Sequence, residues 1–200
     1  MRHDIVVEGP TYRLRPVRQE DAAVMIEIRG GDPERGQFMN PTSPRVEDQE
    51  AYLEGYFLRD DDVYFVIEHI ASGRAEGLVT ICDIGQGAIG WAEWGRWVLR
   101  PGSPAAMESA WLVYRAGFEQ LNLELMYCRT VAANTQVVSF HDGCGLSRHA
   151  TLENYVTLRE ISYDSIEHRL SRAEWPAVDA RLRPLVERFA RRSARKAGQP

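Results

Sequence analysis

The sequence of 200 residues contains no apolar run long enough to span a membrane. No apolar stretch of the secretory kind follows Met1-Arg2-His3-Asp4, so neither a membrane partner nor export is expected. Cysteine is scarce: Cys82, Cys128 and Cys144 are widely spaced and form no Cys-x-x-Cys pair. That spacing argues against a zinc ribbon or a disulfide scaffold, predicts no metal, and fits reduced thiols in the cytoplasm. Glycine (16) and proline (10) are near ordinary usage, which excludes collagen-like and low-complexity chains. There is no internal repeat and no linker that would divide the chain. What is present, 44% hydrophobic, 10% aromatic and 26% charged residues, describes one soluble domain with a proper core.

The formal charge of -5 is unevenly spread. From Pro176 onward Arg181, Arg183, Arg188, Arg191, Arg192, Arg195 and Lys196 face only Asp179 and Glu187. A basic end on an acidic body can serve nucleic acid or an acidic partner. Little aromatic residue is interleaved with it, so nucleic acid is not expected. A terminal helix with cations near its C-terminal end, where the helix dipole favours them, accounts for the pattern.

Periodicity and punctuation give an α+β order. Residues 11–16 alternate as a short edge strand, and Gln19-Glu20-Asp21 opens a helix stopped by Gly30-Gly31. Residues 30–45, rich in glycine and proline, form a loop long enough to suggest function. A second helix runs from Val46 to Arg59. Three strand candidates, at 62–70, 77–84 and 88–99, follow with short turns and read as an antiparallel meander. Met107, Ala110, Trp111, Tyr114 and Phe118 recur at helical spacing. A strand at 123–131, a short helix at 135–142, one or two strands within 149–161 and a helix from about Ser171 complete the chain.

Two segments carry chemistry. In Leu99-Arg100-Pro101-Gly102-Ser103-Pro104-Ala105-Ala106-Met107-Glu108, Ser103 is a good helix N-cap and Pro104 sits at the first helical position. Ala105 and Ala106 are small, and no acidic residue precedes Glu108, so the free amides of this helix start can meet an anion such as phosphate. Trp91, Trp94 and Trp97 recur every three residues, which opposes Trp94 to the other two on a regular strand. A bulge changes that alternation, and Gly95 makes one easy.

This order of elements resembles the GNAT superfamily of acyl-CoA-dependent N-acetyltransferases over residues 10–162. Glu108 and Tyr114-Arg115-Ala116-Gly117-Phe118 look like the family's central helix. The family's Q/R-x-x-G-x-G/A phosphate loop then falls on 101–106, with Pro101 and Pro104 as departures; Pro104 removes one amide donor. Val131-Ala132-Ala133-Asn134 through Gly145-Leu146 is similar to the family's N-x-x-(A/S)-x-x-x-Y-x-x-x-G-F segment. The resemblance implies a central mixed, mostly antiparallel sheet of six to seven strands flanked by helices. It gives a single domain over 1–170 and a basic helical extension over 171–200 packed on it. It implies acetyl-CoA as acyl donor, held by Val98 and Leu99 on a bulged strand, by Arg100, Gly102, Ser103, Ala105 and Ala106, and by Asn134 on the pantetheine arm.

His141 falls on the tyrosine that protonates the departing thiolate in many members. An imidazole titrates close to working pH, as acid catalysis prefers; the alternative is a histidine hydrogen-bonded at a helix end. Glu93 resembles the family's strand glutamate, a base for the incoming ammonium, with Asp83 and then Glu68 and His69 behind it. Burial beside tryptophans raises a carboxyl pKa; the alternative is an ion pair with Arg96 or another basic group. Arg29, Arg35, Tyr52 and Tyr56, with at least one indole such as Trp91, are expected around the acceptor. The implied reaction is acetyl transfer to a primary amine without a covalent enzyme intermediate. The expected acceptor is a small molecule such as a nucleotide-linked aminosugar, and a homodimer is a possible assembly. A non-catalytic acyl-CoA-binding domain and a protein N-terminal acetyltransferase are the alternatives.

Overall fold

The computed structural model describes residues 2–31, 36–86 and 88–197. Its centre is an eight-stranded sheet in the order β1-β2-β3-β4-β5-β6-β8-β7. The strands are β1 (Val7–Glu8), β2 (Tyr12–Pro16), β3 (Val63–His69), β4 (Ala75–Cys82), β5 (Trp91–Leu99), β6 (Leu125–Val131), β7 (Ser147–Leu158) and β8 (Ile161–Ser171). Among the described residues five α-helices flank it: α1 (Ala22–Gly30), α2 (Val46–Phe57), α3 (Ala106–Arg115), α4 (Thr135–Cys144) and α5 (Trp175–Ala197). All strand pairs are antiparallel except β5–β6. The sheet is thus mixed and mostly antiparallel, as expected, with one strand more than the upper number anticipated.

Two cores sandwich the sheet. Val63, Phe65 and Ile67 of β3 point to the side of α3, α4 and α5, while Tyr64 and Val66 point to α1 and α2. Burial on both faces is why β3 reads as a continuous apolar run. Trp175, Val178, Leu182 and Val186 of α5 belong to the same core as α3, and Trp111 Nε1 donates to Asp179 Oδ1 at 2.7 Å. The terminal helix is therefore built into the fold. Among the described residues no helix is long and apolar enough to cross a membrane.

The decisive local feature lies in β5. Gly77 and Leu78 pair with Leu99 and Val98, but Thr80 pairs with Gly95, so β5 carries one extra residue opposite Val79. Arg96 sits in this bulge with φ +48°, while Gly95 does not need positive φ. The bulge is where the tryptophan spacing anticipates it, but the left-handed residue is Arg96. Its consequence is that Trp94 and Trp97 pack on the same core, with ring centroids 5.7 Å apart, and Trp91 faces the opposite side under the Arg169 guanidinium. β5 pairs with β6 only through Trp91–Glu93, so the edge of 94–99 turned toward β6 is free of strand partners.

Candidate active site

Where β5 and β6 part, a cavity of about 590 Å³ opens on the α1–α2 side. Its wall includes Arg29, Tyr52, Tyr64, Glu93, Arg96, Arg129 and Tyr155, together with Met39–Ser43 of the loop singled out from sequence. Four arginines (Arg29, Arg59, Arg96, Arg129) line it against two carboxylates, Asp48 and Glu93. Of the expected acceptor residues, Arg29 and Tyr52 reach this wall; Arg29 is braced by Nε donation to Thr42 Oγ1 at 2.5 Å. Tyr56 does not reach it. The ring is 1% exposed and its hydroxyl accepts the Tyr64 N–H at 2.8 Å, because the apolar face of α2 is committed to the core. None of the three β5 indoles lines the cavity. Arg35 lies outside the described residues.

Glu93 is half-buried at the mouth of the splay. Its Oε2 accepts from Arg129 Nη1 at 2.9 Å, so its cation comes from β6; Arg96 instead donates to Asp62 Oδ2 at 2.6 Å. Burial pushes the Glu93 carboxyl up to about 7 against the pull of Arg129, with Asp83 adding to the rise. A group poised there can take and return a proton at physiological pH. Asp83 itself is exposed just after β4, with φ +57°, and is absent from the cavity wall. Glu68 is held by Arg13 and Arg15, and the neighbouring His69 by Ser72.

On the other face of β5, His141 is 3% exposed and lies 5.2 Å from the Trp94 ring and 5.3 Å from His168. Burial, with His168 adding to it, lowers His141 to about 3. The imidazole is neutral at physiological pH, which removes the imidazolium on which the general-acid expectation rests. His168 beneath it is fully buried, with Nε2 on Asp142 Oδ1 at 3.0 Å.

The expected donor residues cluster at the start of α3. The helix proper begins at Ala106, two residues beyond Pro104, with Ala105 already in helical conformation. Ser103 still acts in a capping manner, its Oγ accepting the Ala105 N–H at 3.4 Å. Glu108, in the first turn, is turned away: Oε1 accepts the N–H groups of Thr11 and Tyr12, both at 2.8 Å. The amides at this helix start are thus not neutralised by their own carboxylate. Arg100 is not free to help, since its guanidinium grips Glu27 and donates from Nε to Ala75 O at 2.7 Å. Gly102 takes φ +74° in the exposed turn before the helix. Val98 and Leu99 have buried side chains, which leaves only their backbone to meet a donor. Asn134 caps α4, its Oδ1 accepting the Val137 N–H at 3.5 Å. Among the described residues no cluster of three or more His, Cys, Asp or Glu is arranged to hold a metal ion.

Sequence reasoning missed Arg129, Asp62 and the β7 residue Tyr155. Arg129 reaches Glu93, and Tyr155 reaches Arg129, only through the long-range pairing of β5 with β6 and of β6 and β7 with β8, which the strands expected at 123–131 and within 149–161 do not reveal by themselves.

Residues 12–147 match the family model described as an acetyltransferase (GNAT) domain. Among solved structures, a GCN5-related N-acetyltransferase from Brucella melitensis superposes with a TM-score of 0.79 at 19% identity, over 92% of this chain and 86% of that one. Apo FdhC, a nucleotide-linked sugar GNAT, gives 0.73 at 22% identity, over 90% and 97%. Spermidine N-acetyltransferase from Vibrio cholerae, in complex with CoA and spermine, gives 0.73 at 17% identity, over 84% and 99%. At these identities the likeness is one of fold. No curated protein matches the sequence.

Proposed function

The chain belongs to the GNAT acetyltransferase family and is an acetyl-CoA-dependent N-acetyltransferase; from that premise we propose that its acceptor is a small anionic molecule bearing a primary amine, such as a nucleotide-linked aminosugar. The observation that carries this reading is the cavity beside Glu93, in which Arg29, Arg59, Arg96 and Arg129 outnumber the acidic side chains. A polycation such as spermine meets like charge on that wall, whereas phosphate or carboxylate groups meet guanidinium charge there, with Arg59 and Arg96 sharing theirs with Asp62 and Arg129 sharing its own with Glu93 and Glu167.

The residues present fit the donor. The free edge of β5 offers backbone N–H and C=O groups to an amide-bearing arm, and the start of α3 offers amides to a pyrophosphate. Pro104 supplies no N–H, so Ala105, Ala106 and Met107 carry that contact. Bound acetyl-CoA supplies the thioester carbon that the amine attacks. Glu93 takes a proton from the incoming ammonium, which frees the nitrogen lone pair. As the C–N bond forms and the C–S bond breaks, the second nitrogen-bound proton leaves with the sulfur as thiol. Glu93 then returns its own proton to solvent. Trp94, Trp97 and neutral His141 wall the opposite face of β5.

Release of coenzyme A thiol across a panel of amines tests the reading. The panel contains nucleotide-linked aminosugars, free aminosugars, spermine and N-terminal peptides. The expected result is highest kcat/KM with an aminosugar nucleotide. A clear preference for spermine or a peptide would overturn the acceptor class.

A further inference from the structure

The charges around Glu93 form a chain across three strands. Arg129 at the end of β6 donates from Nη1 to Glu93 Oε2 and from Nε to Glu167 Oε2, each at 2.9 Å. Glu167 on β8, itself buried, also accepts from Arg169 Nε at 2.7 Å through its other oxygen. The Arg129 guanidinium lies over two rings, 4.6 Å from the Tyr127 centroid and 5.1 Å from that of Tyr155. A guanidinium held by two carboxylates and in contact with two rings has little freedom to swing away, so the carboxyl it grips is aimed as firmly as the sheet is. An arginine committed to Glu93 alone would have a second effect. It would favour the carboxylate strongly and leave a weak base. Here the same cation faces a second carboxylate.

We propose that Arg129 and Glu167 are paired positioning residues for Glu93: the guanidinium aims the carboxyl into the acceptor cavity, and Glu167 draws off enough of its charge for Glu93 to exchange a proton. This rests on Glu93 being the base. The other groups near Glu93 do not replace the pair. Asp83 and Cys82 at the end of β4 and Tyr127 on β6 add no cation, and Arg96 further along β5 is engaged by Asp62. Burial is the main cause of the upward displacement of Glu93; Arg129 opposes it, and Asp83 and Glu167 add to it.

Carboxyl NMR of the full chain labelled with ¹³C-glutamate reads the titration without needing an acceptor, Glu93 being the resonance lost in Glu93→Gln. In Glu167→Gln the Glu93 midpoint should fall by about one pH unit, a tenfold change in proton affinity, because Arg129 then serves Glu93 alone. In Arg129→Gln it should rise by about as much. Arg129→Lys keeps the charge and should hold the midpoint closer to wild type, while losing the fork and lowering kcat with the best amine of the panel. The acid limb of kcat/KM should follow the NMR midpoint in each variant. Midpoints unmoved in folded Glu167→Gln and Arg129→Gln overturn the inference. Should Arg129→Gln fail to fold, the nearly isosteric Glu167→Gln decides alone. Full turnover by Glu93→Gln removes the base reading, and the inference with it; midpoints that do not move while Glu93→Gln is inactive remove the inference only.

Discussion

The two faces of β5 place titratable groups in opposite circumstances. On the α1–α2 face Glu93 stands beside Arg129 at the wall of an open cavity. On the other, Trp94, Trp97, Phe140 and His141 pack together, edge to face except where Trp97 tilts on Phe140. Burial acts on both in the same sense, favouring the uncharged form. For a carboxyl that means a rise to about 7, into the range of a usable base; for an imidazole it means a fall to about 3, out of the range of a usable acid. One physical cause therefore suits the proposed base to one face and a packing role to the other.

The largest expected effect tests the wet face. Glu93→Gln keeps size and removes the base, so turnover should drop by about 10² to 10⁴, while calorimetric affinity for acetyl-CoA stays within a few-fold. An equal loss in both would mean that Glu93 shapes the site instead of moving protons. On the dry face the corresponding loss is in stability. Trp94 is 1% exposed and donates to the Tyr114 hydroxyl at 2.9 Å, so Trp94→Ala leaves both a void and an unpaired buried hydroxyl. A cost of about 3–5 kcal/mol is expected from urea unfolding. A loss below about 1 kcal/mol would show the aromatic cluster to be loosely packed.

The two faces also pull the pH dependence of stability in opposite directions. Glu93 has a folded pKa near 7, above its ordinary value of 4.5, so the native state binds more protons between these values. Its contribution to stability is present below pH 4.5 and is lost as pH rises through 7. His141 has a folded pKa near 3, below its ordinary value of 6.5, so the unfolded chain binds more protons between them. Its contribution is present above pH 6.5 and is lost as pH falls toward 3. Relative to wild type, Glu93→Gln should therefore lose stability less, or gain it more, as pH rises from 5 to 6, and His141→Phe should do the reverse. Each difference should approach about 1 kcal/mol per pH unit in urea titrations. Parallel curves for all three proteins would break the contrast between the faces.

The same strand shows how far sequence reaches. The tryptophan spacing at 91, 94 and 97 announces a bulge, because a regular strand cannot serve three large rings so spaced. It does not announce that Arg96, with φ +48°, is the residue that bends, since glycine at 95 is the cheaper choice locally. Nor does it reveal β8, whose start at Ile161 follows a tight turn with Arg159 at φ +50° and Glu160 at φ +68°. Neither residue is the glycine or asparagine that normally marks such a turn. β7 is largely exposed and lacks the clean apolar alternation that a half-buried strand displays, so the hairpin gives a weak signal. The site divides the same way. Glu93, Arg29 and Tyr52 were legible from motif and loop, but the partner of Glu93 was not, because Arg129 arrives across the parallel pairing of β5 with β6.

The smallest expected effect concerns the proposed donor end, at the start of α3 on the dry side. Pro104 precedes a helix whose backbone amides are left free by Glu108, and it removes one donor from that group. Pro104→Ala restores an N–H where a pyrophosphate is proposed to sit, and one further hydrogen bond is worth about 0.5–1.5 kcal/mol. Acetyl-CoA should then bind about two- to tenfold tighter by calorimetry. The Glu93 midpoint and the pH profile should not move, because the change lies at the far end of β5 from that carboxyl. The proline also stiffens the turn, and releasing it costs order when the ligand binds. If stiffness outweighs the missing donor, Pro104→Ala will bind acetyl-CoA more weakly than wild type, and this end of the site will have been tuned by backbone rigidity and not by the number of its amides.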